Sequence, residues 1–331
     1  MRCAVVGAGA WGTALADLLA SNGHETVIWA FEPDVAESIN VKHENARFLA
    51  GVRLDASVRA TSDECEAIQG AELVVYATPS HHLRRIVAAG RAHLSPTAIL
   101  AIATKGIERG TLALMTTIVN EELPGHPVVG VSGPSFAMEV AKRHPTAVVA
   151  ASEIPRAAEA VQSTLSNATF RVYTHDDVTG VELAGALKNV MAVATGIVEG
   201  VGLGYNSRAA LITRGLHEMT RLGVAIGARS STFAGLAGVG DLVLTCTGAL
   251  SRNRAVGVEV GRGASLDDAL AGKETVAEGV FTTASAVELA TREDVDMPIV
   301  QTVYRILFEG HPARLAVPEL MARELRPEQD L

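Results

Sequence analysis

Cysteine is scarce in this 331-residue sequence. Its three cysteines, Cys3, Cys65 and Cys246, are odd in number and far apart, which excludes a disulfide framework and any spaced zinc pattern and fits a reducing cytoplasm. Aromatic residues make up only 4%. With 48% hydrophobic residues and 31 glycines, the composition suits an alanine- and valine-rich α/β protein more than a sandwich or a disordered chain. Runs of lysine or arginine are missing too, and the formal net charge is −9. That excludes a general nucleic-acid or anionic-membrane surface and leaves any anionic ligand to a few local cations. Long apolar runs are also lacking: the longest uncharged one in a helical context, residues 190–198, falls far below the roughly 18 residues of a membrane span. Met1-Arg2 and the apolar stretch after them have two ingredients of a secretory signal. The stretch is nevertheless broken by Gly7, Gly9 and Gly12, carries Asp17 and lacks a cleavage site, so neither secretion nor membrane insertion is expected.

The length favours two domains of roughly 150 residues each. Residues 3–6 read as a strand, 7–12 as a tight turn and 13–21 as a helix closed by Asn22-Gly23 in left-handed geometry, with a second strand at 25–29. Apolar runs at 73–77, 98–103, 128–131 and 147–151 read as buried strands, separated by helical segments such as 82–93 and 111–122, a pattern that predicts a mostly parallel sheet. From about Val178 the texture changes, because 181–199 and 207–222 are helical in period and no convincing strand intervenes. The expected division is an α/β domain at 1–180 and an all-helical domain at 181–331, with the boundary near 176–185 and no Pro- or Ser-rich linker or internal repeat. The polar tail 323–331 is expected to fray.

Gly7, Gly9 and Gly12 fit G-x-G-x-x-G, in which the first glycine permits a tight turn, the second a close backbone approach to a pyrophosphate and the third close helix packing. The strand before it, the helix after it and Glu32 at the end of the second strand supply the context this otherwise weak motif needs. Glu32 either accepts hydrogen bonds from an adenosine ribose, favouring NAD over NADP, or is a solvated strand-end residue; no Lys or Arg adjoins Phe31 and Glu32 to greet a 2′-phosphate. Lys105 follows a buried strand and would stand at the carboxyl edge of the sheet, as a cation for an anionic ligand or simply as a surface lysine. Ser132-Gly133-Pro134-Ser135-Phe136 offers backbone N–H groups and a hydroxyl for an oxygen-rich ligand, or a plain helix cap. Lys188-Asn189 interrupts an apolar helix: Lys188 either snorkels to solvent or is buried, with a lowered pKa that suits proton transfer at neutral pH. Asp241, behind the glycines of 235–240, either orients a lysine and a bound hydroxyl or caps a helix. Arg252 and Asn253 either grip a phosphate or, for Arg252 together with Arg254, are merely solvated. Cys246 reads as a small buried residue, since no histidine lies close by in sequence.

Together the segments 7–14, 103–108, 132–137, 182–189, 208–215 and 250–254 resemble the bacterial NAD(P)-dependent glycerol-3-phosphate dehydrogenase family almost from end to end. The resemblance implies a Rossmann domain, a helical substrate domain and an active site in the cleft between them. It implies Lys188 as catalytic acid/base, positioned by Asp241 and supported electrostatically by Lys105. Substrate contacts would come from Lys105, Gly133, Ser135, Lys188, Asp241, Thr245, Ser251, Arg252 and Asn253. Cofactor contacts would come from Gly7, Gly9, Ala10, Trp11, Gly12, Phe31, Lys105, Ala137, Arg252, Val276 and Glu278. It further implies NAD or NADP as cofactor, no metal, a phosphorylated three-carbon substrate, a role in phospholipid precursor supply and a homodimer. Departures from the family pattern are Ala10 where serine is common, Phe31 where a basic residue is common, and Tyr205 where an acidic residue is expected. Two other readings stand beside this one: another two-domain hydroxy-acid dehydrogenase, against which Lys105 and Arg252-Asn253 argue, and a non-catalytic dinucleotide sensor.

Overall fold

The computed structural model describes residues 1–272, 277–322, 324 and 327. The chain forms two compact units, one of Met1–Lys105 with Ala113–Val178 and one of Gly106–Leu112 with Thr179–Leu331.

The first unit is built on strands β1 (Arg2–Val6), β2 (Glu25–Trp29), β3 (Arg59–Thr61), β4 (Leu73–Tyr76), β5 (Ile99–Ile102), β6 (Val128–Ser132), β7 (Thr146–Ala151) and β8 (Phe170–His175). They form one sheet in the order β3-β2-β1-β4-β5-β6-β7-β8, parallel at every pairing except β6 with β7. Helices α1 (Ala10–Ser21), α2 (Pro33–Lys42), α3 (Glu64–Ile68), α4 (Leu83–Gly90), α5 (Met115–Glu122), α6 (Ala137–Ala141) and α7 (Pro155–Leu165) complete it. Both faces of the sheet are covered, which is why its central strands are continuous apolar runs. Cys3 and Val5 of β1 pack with Leu15, Leu18, Leu19 and Val161 on one face, while Ala4 and Val6 pack with Ile68, Leu83, Val87 and Ile118 on the other. Strand order reverses between β2-β1 and β4-β5, so the crevice above the carboxyl ends of β1 and β4 is the ligand site of a doubly wound, Rossmann-type sheet.

No strand is expected from the sequence at β3 or β8, the two edges of the sheet. β3 has only three residues, and β8 alternates buried Phe170 and Val172 with solvent-facing Arg171 and Tyr173. The direction reverses once, at β7, which enters antiparallel to β6 after the five-residue helix α6. The expected helix at 111–122 begins only at Met115 because Gly110 and Leu112 both take positive φ. Residues 82–93 form α4 flanked by single 3₁₀ turns. After α1 only Gly23 is left-handed (φ 84°), while Asn22 stays at φ −79°.

From Val178 on, the regular elements among the described residues are helices: α8 (Val178–Gly200), α9 (Tyr205–Ala225), α10 (Ser230–Phe233), α11 (Asp241–Thr247), α12 (Arg252–Gly261), α13 (Leu266–Leu270), α14 (Glu278–Arg292), α15 (Pro298–Phe308) and α16 (Ala313–Met321); Gly106–Leu112, also part of the second unit, is a bridge and turns. Helix α8 is long and apolar enough to cross a membrane by length and composition alone, yet its apolar window is wholly buried inside the protein. It meets α12 backbone to backbone. A Cβ on Gly196 would stand 2.1 Å from the Arg254 carbonyl oxygen, and one on Gly257 would stand 2.1 Å from that of Val193; Gly200 and Gly261 repeat the contact one turn on. Glycine alone permits this approach, and each helix supplies two, spaced G-x-x-x-G.

Candidate functional site

In the first unit, the turn after β1 has the geometry a pyrophosphate needs. Gly7 has φ 113°, and a Cβ there would press on the Ala77 carbonyl at 2.9 Å; a Cβ on Gly12 would lie 1.8 Å from the Gly7 oxygen. Around Gly9 the space is open, with nothing within 4 Å of such a Cβ. Gly9 is also the N-cap of α1 and brings no capping side chain, so the first N–H groups of a twelve-residue helix are left to an anion. Ala10 and Trp11 form the first turn of that helix, both partly exposed. At the end of β2, Phe31 is 71% exposed and meets the Trp29 ring edge-on at 6.3 Å. Glu32 starts α2, but its carboxylate caps no N–H group there.

Three other expected residues of this unit converge at the same sheet edge, beyond β5 and β6. The Lys105 ammonium donates to the Gly133 carbonyl at 3.3 Å, and the Ser135 hydroxyl donates to the same oxygen at 3.0 Å. Gly133 has φ 133°, and a Cβ there would sit 2.9 Å from Val148 Cα, so no larger residue fits. Ala137 opens α6 immediately afterwards.

In the second unit, Lys188 is buried at 8% exposure in the middle of α8, not snorkelling. Its Nζ donates to Asp241 Oδ1 at 2.6 Å and to Thr245 Oγ1 at 2.9 Å, and Thr245 Oγ1 donates in turn to Asp241 at 3.2 Å. Asp241 is the first residue of α11, whose N-cap is Gly240, so its carboxylate serves the lysine and the threonine and is no cap. Burial pushes the neighbouring Cys246 thiol up to about 12, which removes it as a nucleophile at neutral pH.

Helix α12 brings the remaining group. The buried Ser251 hydroxyl caps it by accepting from Arg254 N–H. Arg252 is exposed at its first position; partial desolvation of the guanidinium lowers its pKa, and the charge of the Glu278 carboxylate opposes that shift. Asn253 is buried: its Nδ2 donates to Asn189 Oδ1 at 2.9 Å, and its Oδ1 accepts from Gly279 N–H at 2.9 Å. Arg254, far from being merely solvated, is ion-paired with Glu199, which also binds Arg208 at 2.6 Å. Val276 lies outside the described residues, as does most of the polar tail. Among the described residues no group of three His, Cys, Asp or Glu side chains is placed to hold a metal.

Sequence reasoning noticed Asn189 beside Lys188 but gave it no role, and passed over Glu199, which with Asn189 ties α8 to α12, and Asn45, which reaches the glycine turn from a loop. Each carries its signal only in three dimensions, as a polar side chain paired across distant segments.

A doubly wound dinucleotide turn and a buried lysine–carboxylate pair in a helical unit define an NAD(P)-dependent oxidoreductase. The particular family follows from comparison with known proteins. Residues 2–158 match the model of the NAD-dependent glycerol-3-phosphate dehydrogenase N-terminus and residues 177–318 that of its C-terminus, so the chain belongs to this family. Glycerol-3-phosphate dehydrogenase (NAD(P)+) of Geobacter sp. (strain M21) is 50% identical over 330 residues, covering 99% of this chain and 98% of its own. That of Myxococcus xanthus (strain DK1622) is 51% identical over 331 residues, covering 99% of both. The crystal structure of glycerol-3-phosphate dehydrogenase from Coxiella burnetii has 38% identity and a TM-score of 0.94, covering 97% of this chain and 99% of that one.

Proposed function

We propose that this protein interconverts dihydroxyacetone phosphate and sn-glycerol 3-phosphate with NAD(P)H or NAD(P)+, supplying the glycerol phosphate of phospholipid synthesis. The carrying observation is Lys188, an ammonium buried in apolar helix α8 and aimed by Asp241 and Thr245.

The bound nicotinamide cofactor supplies or accepts the hydride at C2 of the substrate. The residues of the glycine turn fit it: Gly7 and Gly12 leave no room for side chains, Gly9 faces open space, and the start of α1 offers N–H groups to the pyrophosphate, with Ala10, Trp11, Phe31 and Ala137 around it. In the reductive direction Lys188 Nζ gives a proton to the C2 oxygen as its charge develops, and Asp241 holds that ammonium in place and stabilises it between turnovers. Thr245 fixes the same nitrogen from a second direction, so the donor is ordered before substrate arrives. Arg252, beside Ser251 and at the start of α12, grips the substrate phosphate. Asn253 joins it: with one amide proton on Asn189 and its oxygen on Gly279, the group has a second N–H for a phosphate oxygen. Lys105, set against Gly133 and Ser135, adds positive charge toward substrate and cofactor, and Glu278 joins the cofactor contacts. We place the protein in the cytoplasm as a homodimer, with domains at about 1–180 and 181–331; family membership and the absence of paired cysteines support this.

The test is a steady-state assay of dihydroxyacetone-phosphate-dependent oxidation of NADH and NADPH. Wild type turns over, whereas Lys188→Ala loses turnover and still binds cofactor. Wild-type inactivity with both cofactors defeats the reading, and an active Lys188→Ala variant defeats the role of Lys188.

A further inference from the structure

The two glycines that shape the turn after β1 make it possible, but they do not fix which way its peptide groups face. One side chain from outside the motif is placed to do that. Asn45, in the loop after α2, is 2% exposed. Its Nδ2 donates to the Ala8 carbonyl at 2.8 Å and to Thr13 Oγ1 at 2.8 Å, and Thr13 Oγ1 itself donates to the Ala8 carbonyl at 3.2 Å. On its other edge, Asn45 Oδ1 accepts from Phe48 N–H at 3.1 Å and its main-chain oxygen accepts from Leu49 N–H at 2.8 Å. Both amide protons and the amide oxygen are therefore committed, and the amide cannot flip without losing its bonds to the Ala8 carbonyl, Thr13 Oγ1 and Phe48 N–H.

We propose that Asn45 is a positioning residue for the dinucleotide, acting through the Ala8–Gly9 peptide. In a trans peptide the C=O and N–H point in opposite directions. Two donors hold the Ala8 oxygen inward, so the Gly9 N–H is turned outward, at the one glycine of the motif with open space around it. An inverted peptide would present a carbonyl oxygen to the pyrophosphate, and two oxygen acceptors facing each other repel. Thr13, one turn into α1, holds the same oxygen from the helix side, so loop, turn and helix are locked through one atom. The chemistry selects the residue types: leucine at 45 keeps the volume and donates nothing, and valine at 13 keeps the shape and loses the hydroxyl.

The inference rests on the reading of this turn as the cofactor site, and the experiment separates the two. NADH affinity is measured by fluorescence titration, and KM for cofactor and for dihydroxyacetone phosphate by steady-state kinetics, in wild type, Asn45→Leu, Thr13→Val and Thr13→Ser. Asn45→Leu is expected to weaken NADH about 10- to 100-fold and Thr13→Val about tenfold, the scale of one or two buried hydrogen bonds. KM for dihydroxyacetone phosphate stays within about twofold, the ordinary scatter of a site not touched, and Thr13→Ser, which restores the hydroxyl, binds NADH like wild type. Should Asn45→Leu fail to fold, the Thr13 pair decides alone. Wild-type NADH affinity in Asn45→Leu or Thr13→Val overturns the inference. So does an equal loss of affinity for both substrates accompanied by a lowered melting temperature, which marks a merely structural role. Wild type that binds neither NADH nor NADPH overturns the cofactor reading itself.

Discussion

Lys188 and Asp241 make separable contributions to stability and to catalysis, and Lys188→Met pulls them apart. Methionine matches most of the lysine's length and fits an apolar helix, so the substitution removes the charge with little change in packing. It leaves the Asp241 carboxylate, 1% exposed, without the ammonium 2.6 Å away. Breaking one side of a buried pair costs about 3–5 kcal/mol, a large share of the 5–15 kcal/mol that holds a typical domain together. Asp241→Asn in the same chain removes the stranded charge, so the double variant should recover about 2 kcal/mol or more of that loss. Turnover should not recover in either, since loss of a proton donor alone removes about 10²- to 10⁴-fold. Both tryptophans, Trp11 and Trp29, lie in the first unit, so urea unfolding is followed by far-ultraviolet circular dichroism, which is dominated by helix. Lys188→Met within about 1 kcal/mol of wild type, the range of an ordinary surface change, refutes the buried-pair reasoning. A double variant less stable than the single one refutes it equally.

Three further outcomes are expected. Gly196→Ala or Gly257→Ala forces α8 and α12 apart by a Cβ that would lie 2.1 Å from a carbonyl oxygen; it should cost about 1–3 kcal/mol or more and raise KM for dihydroxyacetone phosphate, and unchanged kinetics would contradict the link between helix spacing and substrate grip. Burial raises the Glu218 carboxyl to about 7, against the opposing hydrogen bonds from Ile299 and Val300 N–H, so the folded state holds its proton more tightly than the unfolded chain. Stability from this group is therefore full below its ordinary value of 4.5 and falls as pH rises toward 7, by an amount on the order of 3 kcal/mol; Glu64, also raised by burial to about 7, adds to the same slope, and Glu218→Gln should flatten it in urea titrations between pH 4.5 and 8. Replacing Glu32 by serine should lower the kcat/KM preference for NADH over NADPH about tenfold, the loss of a charge-assisted hydrogen bond to a ribose hydroxyl; an unchanged ratio assigns Glu32 to solvent.

The central strands and the glycine turn were legible in the sequence because each answers to a local rule: strands buried on both faces need unbroken apolar runs, and Gly7 and Gly12 stand where backbone presses on backbone. β3 was not legible, because an edge strand of three residues leaves no pattern to find; β8 was overlooked although Phe170 and Val172 inward against Arg171 and Tyr173 outward is the alternation of a half-buried strand. Lys188 stood out as a charge in an apolar helix, yet nothing near it in sequence separated burial from snorkelling; the partners that decide it, Asp241 and Thr245, lie 53 and 57 residues on. Asn45 left no trace at all, since its partners Ala8 and Thr13 lie 37 and 32 residues away and an asparagine in a loop is unremarkable until its bonds are seen.

The backbone-to-backbone seam of α8 and α12 works as a ruler made of main chain. The lysine on one helix and the guanidinium at the head of the other are separated by a span that main-chain contact sets at its narrowest, with the Asn189–Asn253 and Glu199–Arg254 pairs holding it from the sides. Every amino acid but one brings a Cβ, and so positions 196, 200, 257 and 261 are closed to substitution in a way the charged residues they serve are not.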